Sequence, residues 1–70
     1  MALGRLIRVR NYRGDPAAIM YVVATSELDA AIELLKNALS TPNLDYEDLG
    51  RVNDSLIQAL KLKHGEFYRL

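Results

Sequence analysis

The stretch AIMYVVATSELDAAIELLKNAL, residues 18–39, predicts a buried β-strand that leads directly into an amphipathic α-helix. Residues 18–24 are all apolar or aromatic, and several are β-branched, which is typical of a strand that is covered on both faces. Beyond Ser26 the apolar residues recur at intervals of three and four, which is typical of a helix with one buried stripe. The other elements are predicted outward from this strand–helix unit.

Two signals predict the limits of the helix. Ser26 is a favourable N-cap residue, and Asp29 three positions later completes a pair of the capping-box type. At the other end Pro42 disfavours a helical conformation at Thr41, the residue before it. We therefore expect the helix over residues 27–40.

A further strand is predicted upstream, where polar and apolar side chains alternate over residues 5–12. The following Arg13-Gly14-Asp15-Pro16 is typical of a turn, so this strand and the one over residues 18–24 are expected to form an antiparallel hairpin. A two-residue turn would place Ile7 opposite Val22. A slip of one residue would exchange the faces of the second strand, and because that strand is apolar on both sides its register stays open.

A second helix is predicted over residues 45–63, with acidic residues at its start and basic residues at its end, as the helix dipole favours. Gly50 lies inside this segment, where glycine costs about 1 kcal/mol relative to alanine. We prefer a continuous helix; in the alternative the helix breaks and Asn53 caps a shorter one from Asp54. The aromatic tail, residues 66–70, favours either a short third strand on the hairpin edge or an irregular docked segment.

These elements predict one small α+β domain over residues 1–70, in the order strand, strand, helix, helix, with both helices on one face of the hairpin. That arrangement leaves one face of the apolar strand without a cover. Because so short a chain builds only a small core, oligomerisation is a common source of further stability. We therefore predict a homodimer, whose interface would involve Ile19, Tyr21, Val23, Tyr46, Ile57 and Leu62.

The composition and motifs argue against several classes of protein. The chain has no cysteine for disulfides or thiolate metal sites, and a reducing, cytoplasmic location is expected. No apolar run is long enough for a membrane span, and the N-terminus lacks the apolar core of a signal peptide. The sequence shows no phosphate-binding glycine loop, nucleophile–base pair or set of metal ligands. We therefore expect no cofactor, no metal and no enzymatic activity.

The charges are unevenly distributed although their formal sum is zero. Residues 1–14 hold four arginines and no acid, whereas residues 15–54 hold eight acids and only two basic residues. This asymmetry permits a contact between the basic start of one subunit and the acidic middle of another. The neutral total argues against non-specific binding to nucleic acid.

The arginines of the first strand suggest an alternative function, a regulator that binds nucleic acid through Arg5, Arg8, Arg10 and Arg13. Basic groups interleaved with aromatic ones can bind phosphate and stack on bases. A basic strand followed by two helices also resembles ribbon-helix-helix repressors, although here a second strand intervenes. The favoured interpretation is that the arginines protect a strand edge from aggregation, and that the chain is a small non-catalytic interaction or accessory protein acting as a homodimer.

Overall fold

The computed structural model describes residues 2–40 and 43–70, which fold into four strands and two helices. In chain order these elements are β1 (Ala2–Arg10), β2 (Ala18–Val23), α1 (Leu28–Leu39), β3 (Asp45–Asn53), α2 (Asp54–Ala59) and β4 (Phe67–Arg69). The strands form one antiparallel sheet in the order β3-β1-β2-β4, so β1 is a central strand. Within the described residues, no helix combines the length and the apolar character needed to cross a membrane.

The predicted fold class, a hairpin followed by two helices on one sheet face, is wrong. Residues 45–53 form strand β3, which pairs with β1, instead of the first half of a long helix. The two helices lie on opposite faces of the sheet, since their core clusters contain side chains from opposite faces. The tail contributes β4, the short C-terminal strand that the sequence left open, and it pairs with β2.

Strand β3 forms because its acidic residues have partners on β1 and because its glycine does not suit a helix. Asp45 lies opposite Arg10, and the two side chains form an ion pair. Glu47 lies opposite Arg8 and is likewise paired with it. Gly50 has a φ angle of 119°, which other residues rarely adopt and which lies outside the helical region. The same acidic residues that suggest a helix start therefore belong to a strand.

The short helix α2 agrees with the alternative in which the long helix breaks. Asn53 is its N-cap, and the Asn53 side chain accepts a hydrogen bond of 3.0 Å from the backbone N–H of Leu56. That bond satisfies one of the N–H groups that the first turn of a helix leaves without an intrahelical partner. The helix ends at Ala59, so the continuous helix predicted over residues 45–63 is not present.

Helix α1 lies within the predicted range of residues 27–40, but its start differs. Glu27 is the N-cap in place of Ser26, and no side chain caps the helix. The helix ends before Ser40, whose φ angle of 56° is left-handed and turns the chain away from the helix axis. Residues 41 and 42, to which the sequence assigns the helix stop, lie outside the described residues.

The hairpin has the slipped register and not the register of a two-residue turn. Ile7 lies opposite Tyr21 instead of Val22, because the connection between the strands spans residues 11–17. Asp15 is buried inside this connection, where its side chain accepts a hydrogen bond of 2.9 Å from a backbone N–H two residues later. This longer turn shifts the pairing by one residue and exchanges the faces of β2.

The first face of the sheet is covered by α1. It carries the odd-numbered residues of β1 from Arg5 to Val9, together with the residues of the other strands that lie directly opposite them. Their side chains pack against Ala31 and Leu35 of α1. The strand residues of this cluster are Ile7, Val9, Tyr21 and Val23, with Tyr46 and Phe67 partly buried against them.

The second face carries the even-numbered residues of β1 from Gly4 to Arg10, and α2 covers only one end of it. Its buried cluster contains Val22, Ala24, Val52 and Ile57. Gly4 permits the close approach of α2, because a Cβ atom there would lie 2.6 Å from the Val23 carbonyl oxygen and 2.8 Å from Cδ1 of Ile57. In the described part of the chain, the other end of this face carries charged and apolar side chains instead of a helix.

Candidate interaction surface

The arginines of β1 are held by acidic side chains of β3. The pairs are Arg5–Asp48, Arg8–Glu47 and Arg10–Asp45. Arg10 donates to a single carboxylate oxygen of Asp45 through both Nε, at 2.9 Å, and Nη2, at 2.5 Å. The basic start and the acidic middle of the sequence therefore neutralise each other within one chain, and this complementarity does not require a second subunit.

The four arginines predicted to contact nucleic acid do not form one basic surface. Arg5 lies on the first face near α1, where its Nε also donates to the Ser26 carbonyl at 3.0 Å. Arg8 and Arg10 lie on the second face, and Arg13 lies in the exposed turn between β1 and β2. Since β1 is a central strand of a four-stranded sheet, the resemblance to ribbon-helix-helix repressors does not extend to the fold.

The residues predicted to form a dimer interface are mostly used inside the monomer. Five of the six lie in the two core clusters or pack against them: Tyr21, Val23, Tyr46, Ile57 and Leu62. Ile19 is the exception, with 37% of its surface exposed. The apolar character of both sides of β2 is explained by the two helices only where they pack, α1 on Tyr21 and Val23 and α2 on Val22, whereas Ile19 and Met20 are exposed.

An exposed surface lies instead at the end of the second face that α2 leaves uncovered. We call it the open half; it consists of the ion-paired Arg8, Arg10, Asp45 and Glu47 and of a row of apolar residues, Met20, Tyr68 and Leu70. Leu70 belongs to this row because its N–H donates to the Met20 carbonyl at 2.9 Å, which continues the pairing of β2 with β4. The exposed fractions are 40% for Met20, 46% for Tyr68 and 59% for Leu70.

Sequence reasoning missed this apolar row because the row depends on pairing between distant strands. The face on which Met20 lies follows from the hairpin register, and Tyr68 and Leu70 lie in a tail with two possible conformations. The available signal was the alternation within that tail. Phe67 and Arg69 occupy one side of a strand there, and Tyr68 and Leu70 occupy the other.

Tyr46 is a titratable residue in a perturbed environment. Its hydroxyl is buried at the margin of the first-face core and has no hydrogen-bond partner among the described residues. Burial, and to a lesser extent the neighbouring Tyr21, raises the pKa of Tyr46 above the usual 10.0. Lys36 Nζ lies 5.9 Å from the centroid of the ring, within range of a cation–π contact. The phenol is therefore held in its neutral form.

Two cavities of the described structure are small. One of about 210 Å³ is lined mainly by apolar side chains beside the first-face core, including Val9, Tyr21 and Leu39. Another, of about 120 Å³, adjoins Ile57 and His64 on the other face. Pockets for small molecules usually measure about 300–1,000 Å³. Among the described residues, no group of three or more His, Cys, Asp or Glu side chains could hold a metal ion.

The two edges of the sheet are protected to different degrees. Strand β3 carries Asp45, Glu47 and Asp48, and a bulge interrupts its register with β1 between Leu6 and Ile7. Charges and bulges of this kind oppose pairing with another strand. Strand β4 carries no acid and pairs with β2 in an unbroken register, and within the described residues no strand lies on its outer side. The less protected edge is therefore β4.

Comparisons of the chain with protein-family models, with curated proteins and with solved structures found no match. The functional interpretation therefore depends on the geometry of this chain alone. The two features that bear on it are the open half of the second face and the free edge of β4 beside it.

Proposed function

We propose that the protein is a small non-catalytic interaction protein that acts as a homodimer in the cytoplasm. The observation that carries this proposal is the exposed apolar row of Met20, Tyr68 and Leu70 on the open half. A contiguous group of exposed apolar side chains beside polar ones is typical of a protein–protein contact. The cysteine-free composition supports this location, because it suits a reducing compartment.

A second copy of the chain suits this surface. The contact in a twofold dimer is made by the same patch on both subunits, so the patch must be compatible with itself. The open half meets this condition, because its arginines are already neutralised by neighbouring acids and two copies do not repel each other. A chain of 70 residues also benefits from apolar burial between subunits, since its own core is small.

The ion pairs of β1 favour this proposal over binding to nucleic acid. Affinity for phosphate comes from arginine and lysine side chains that replace counterions on the nucleic acid. Arg8 and Arg10 would first have to leave Glu47 and Asp45, and those two acids would then face the phosphates. The same ion pairs hold the carboxylates of β3 against the arginines of β1, which supports a role without catalysis.

Molecular mass in solution tests the proposal. Light scattering at micromolar concentration should give a mass of twice the 7.9 kDa of one chain. Leu70→Glu should shift the population toward the monomer, because it places a charge in the apolar row. Tyr12→Glu is the matched control, since Tyr12 is 61% exposed in the turn between β1 and β2 and lies outside the row. A mass of one chain at every concentration would contradict the homodimer.

A further inference from the structure

We propose that the outer edge of β4 pairs with the β4 edge of a second copy of the chain, so that two four-stranded sheets join into one of eight strands. This inference rests on the proposed homodimer and specifies the surface that forms it. Pairing along a free sheet edge is a recurring mode of recognition, in which main-chain hydrogen bonds supply much of the contact. The hydrogen-bond pattern of β4 and its side chains support this pairing of the two edges.

The backbone of β4 has two residues whose hydrogen-bonding groups point outward. Glu66 and Leu70, which flank the strand, both form backbone hydrogen bonds to the β2 side, at 2.8 and 2.9 Å. Residues that bond toward a neighbour alternate with residues that bond away from it in antiparallel pairs. The backbone N–H and C=O groups of Tyr68 therefore point toward β2. Those of Phe67 and Arg69 point outward, where none of the described hydrogen bonds reaches them.

One antiparallel register uses all of these outward groups. With Tyr68 opposite Tyr68 of the second copy, Phe67 of each chain faces Arg69 of the other, and each such pair exchanges two hydrogen bonds. A register centred on Arg69 would place two like charges opposite each other. A register centred on Phe67 would bring Arg69 opposite Gly65, whose N–H already donates to the Ala24 carbonyl.

The side chains agree with this register on both faces of the joined sheet. On the second face the two Tyr68 rings become cross-strand neighbours, and Met20 and Leu70 of each chain extend the apolar row on either side. On the first face Arg69 lies opposite Phe67 of the second copy, where a guanidinium over an aromatic ring is favourable. The exposed row and the free edge thus become parts of one contact.

The opposite edge of the sheet does not offer such a contact. At Gly50 the φ angle of 119° departs from that of a regular strand, so β3 does not offer a continuous edge. The bulge in β3 would also interrupt the ladder of hydrogen bonds. A joined sheet is therefore expected to form through β4.

Arg69→Pro tests the hydrogen bonds of the joined edge. Proline removes the outward N–H of residue 69, which an edge strand tolerates on its solvent side, so the bonds of β4 to β2 are retained. Two of the four bonds between subunits are lost, and the dissociation constant of the dimer should rise by about tenfold or more. Arg69→Ala is the matched control, because it removes the same side chain and the same contacts with Phe67 but keeps the N–H; it should raise the constant by less than Arg69→Pro does.

Cross-linking tests the register and stays informative if the proline variant fails to fold. The chain has no cysteine, so one introduced thiol reports on one position. Tyr68→Cys places the two thiols in a facing pair with Cα atoms about 4.5 Å apart, which suits a disulfide. Arg69→Cys is the matched control. Its two copies are offset along the strands, so their Cα atoms lie roughly 8 to 9 Å apart, which is too far for a disulfide.

The expected result is a disulfide-linked dimer for Tyr68→Cys but not for Arg69→Cys, with weaker dimerisation for Arg69→Pro than for Arg69→Ala. A dimer that cross-links no better at position 68 than at position 69 overturns the edge pairing and leaves the homodimer standing. So does a dimer that the proline and alanine variants form equally well. A wild-type protein with the mass of one chain overturns both proposals.

Discussion

The two faces of the sheet are covered in different ways. The first face lies under α1, a helix of 12 residues whose Leu35 is completely buried against the sheet. The second face lies under α2, a helix of 6 residues, at one end only. At the other end arginine and acidic side chains of β1 and β3 pair across the surface. Because the aliphatic stem of arginine covers apolar surface, these pairs replace part of the cover that a longer helix would give.

This difference explains how a chain of 70 residues covers both faces of a four-stranded sheet. One long helix supplies the main core, and the second face needs only a short helix because a ladder of charges covers the rest. The apolar row at the β4 side of that ladder is what stays exposed. Each substitution below perturbs one face, and its reference position lies in the exposed turn between β1 and β2.

Gly4→Ala should have the largest effect, because its Cβ atom would clash on the second face with the backbone of β2 as well as with Ile57 of α2. The new Cβ atom would meet the Val23 carbonyl oxygen at 2.6 Å, and a backbone atom gives way less readily than a side chain. We expect a loss of about 3 kcal/mol in the free energy of unfolding, the upper range for overpacking. Urea denaturation measures it.

Gly14→Ala provides the reference for this substitution. Gly14 has a φ angle of 91°, and a Cβ atom there would meet nothing within 4 Å, so alanine adds only backbone strain. The cost of that strain is of order 1 kcal/mol. Equal losses for the two variants would show that neither the Val23 carbonyl nor Ile57 approaches Gly4 as closely as described.

The pair Arg10–Asp45 should contribute a smaller amount on the open half. The two side chains are 15% and 29% exposed, so solvent screens the attraction only in part. A double-mutant cycle with Arg10→Ala and Asp45→Ala should give a coupling energy of about 0.5–1 kcal/mol at low salt, falling as salt increases. A matched cycle of Arg13→Ala with Asp45→Ala should give none. Zero coupling in both cycles would mean that the ladder does not stabilise the second face.

The elements that depend on local pattern could be predicted from the sequence. Strands β1 and β2 and helix α1 follow from alternation and from one apolar stripe, so their positions differ from the expected ranges by a few residues. Strand β3 could not be predicted in this way. Its acids suggest a helix start, and the partners that make them a strand lie 35 to 43 residues earlier in the chain.

The candidate site was harder to predict than the fold, because two features that lie far apart in the sequence create it. The buried Asp15 lengthens the hairpin turn, which places Met20 on the second face. The tail pairs with β2, which brings Tyr68 and Leu70 beside it. The predicted interface residues on β2 were apolar enough for a dimer, but helix α1 covers Tyr21 and Val23.

Tyr46→Phe should have the smallest effect, and it concerns the covered first face. The substitution removes a buried hydroxyl that has no partner among the described residues, so we expect a gain of about 0.5 kcal/mol in the free energy of unfolding. Tyr12→Phe, in the exposed turn, should leave that free energy unchanged. A loss of stability for Tyr46→Phe would indicate that the hydroxyl has a hydrogen bond.

Tyr46→Phe should also change how the stability of the folded chain depends on pH. The pKa of Tyr46 is raised in the folded chain, so the unfolded chain releases this proton first as the pH rises. The contribution of Tyr46 to wild-type stability is therefore constant below the usual pKa of 10.0 and decreases above it. Thermal melts of the wild type and of Tyr46→Phe can be recorded below and above that pH. Between the two conditions the wild type should lose more stability than Tyr46→Phe does. Parallel curves would contradict the assigned direction of the shift.

Residues 45–53 form a strand that pairs with β1. This pairing neutralises the arginines of β1 and leaves β4 as the open edge of the sheet. Nuclear magnetic resonance of the backbone tests it most directly. We expect extended-chain chemical shifts over residues 45–53 except at Gly50, whose φ angle is positive, with cross-strand nuclear Overhauser effects between Arg8 and Glu47 and between Val9 and Tyr46. Helical shifts that continue from Asp45 into α2, without those cross-strand effects, would contradict it.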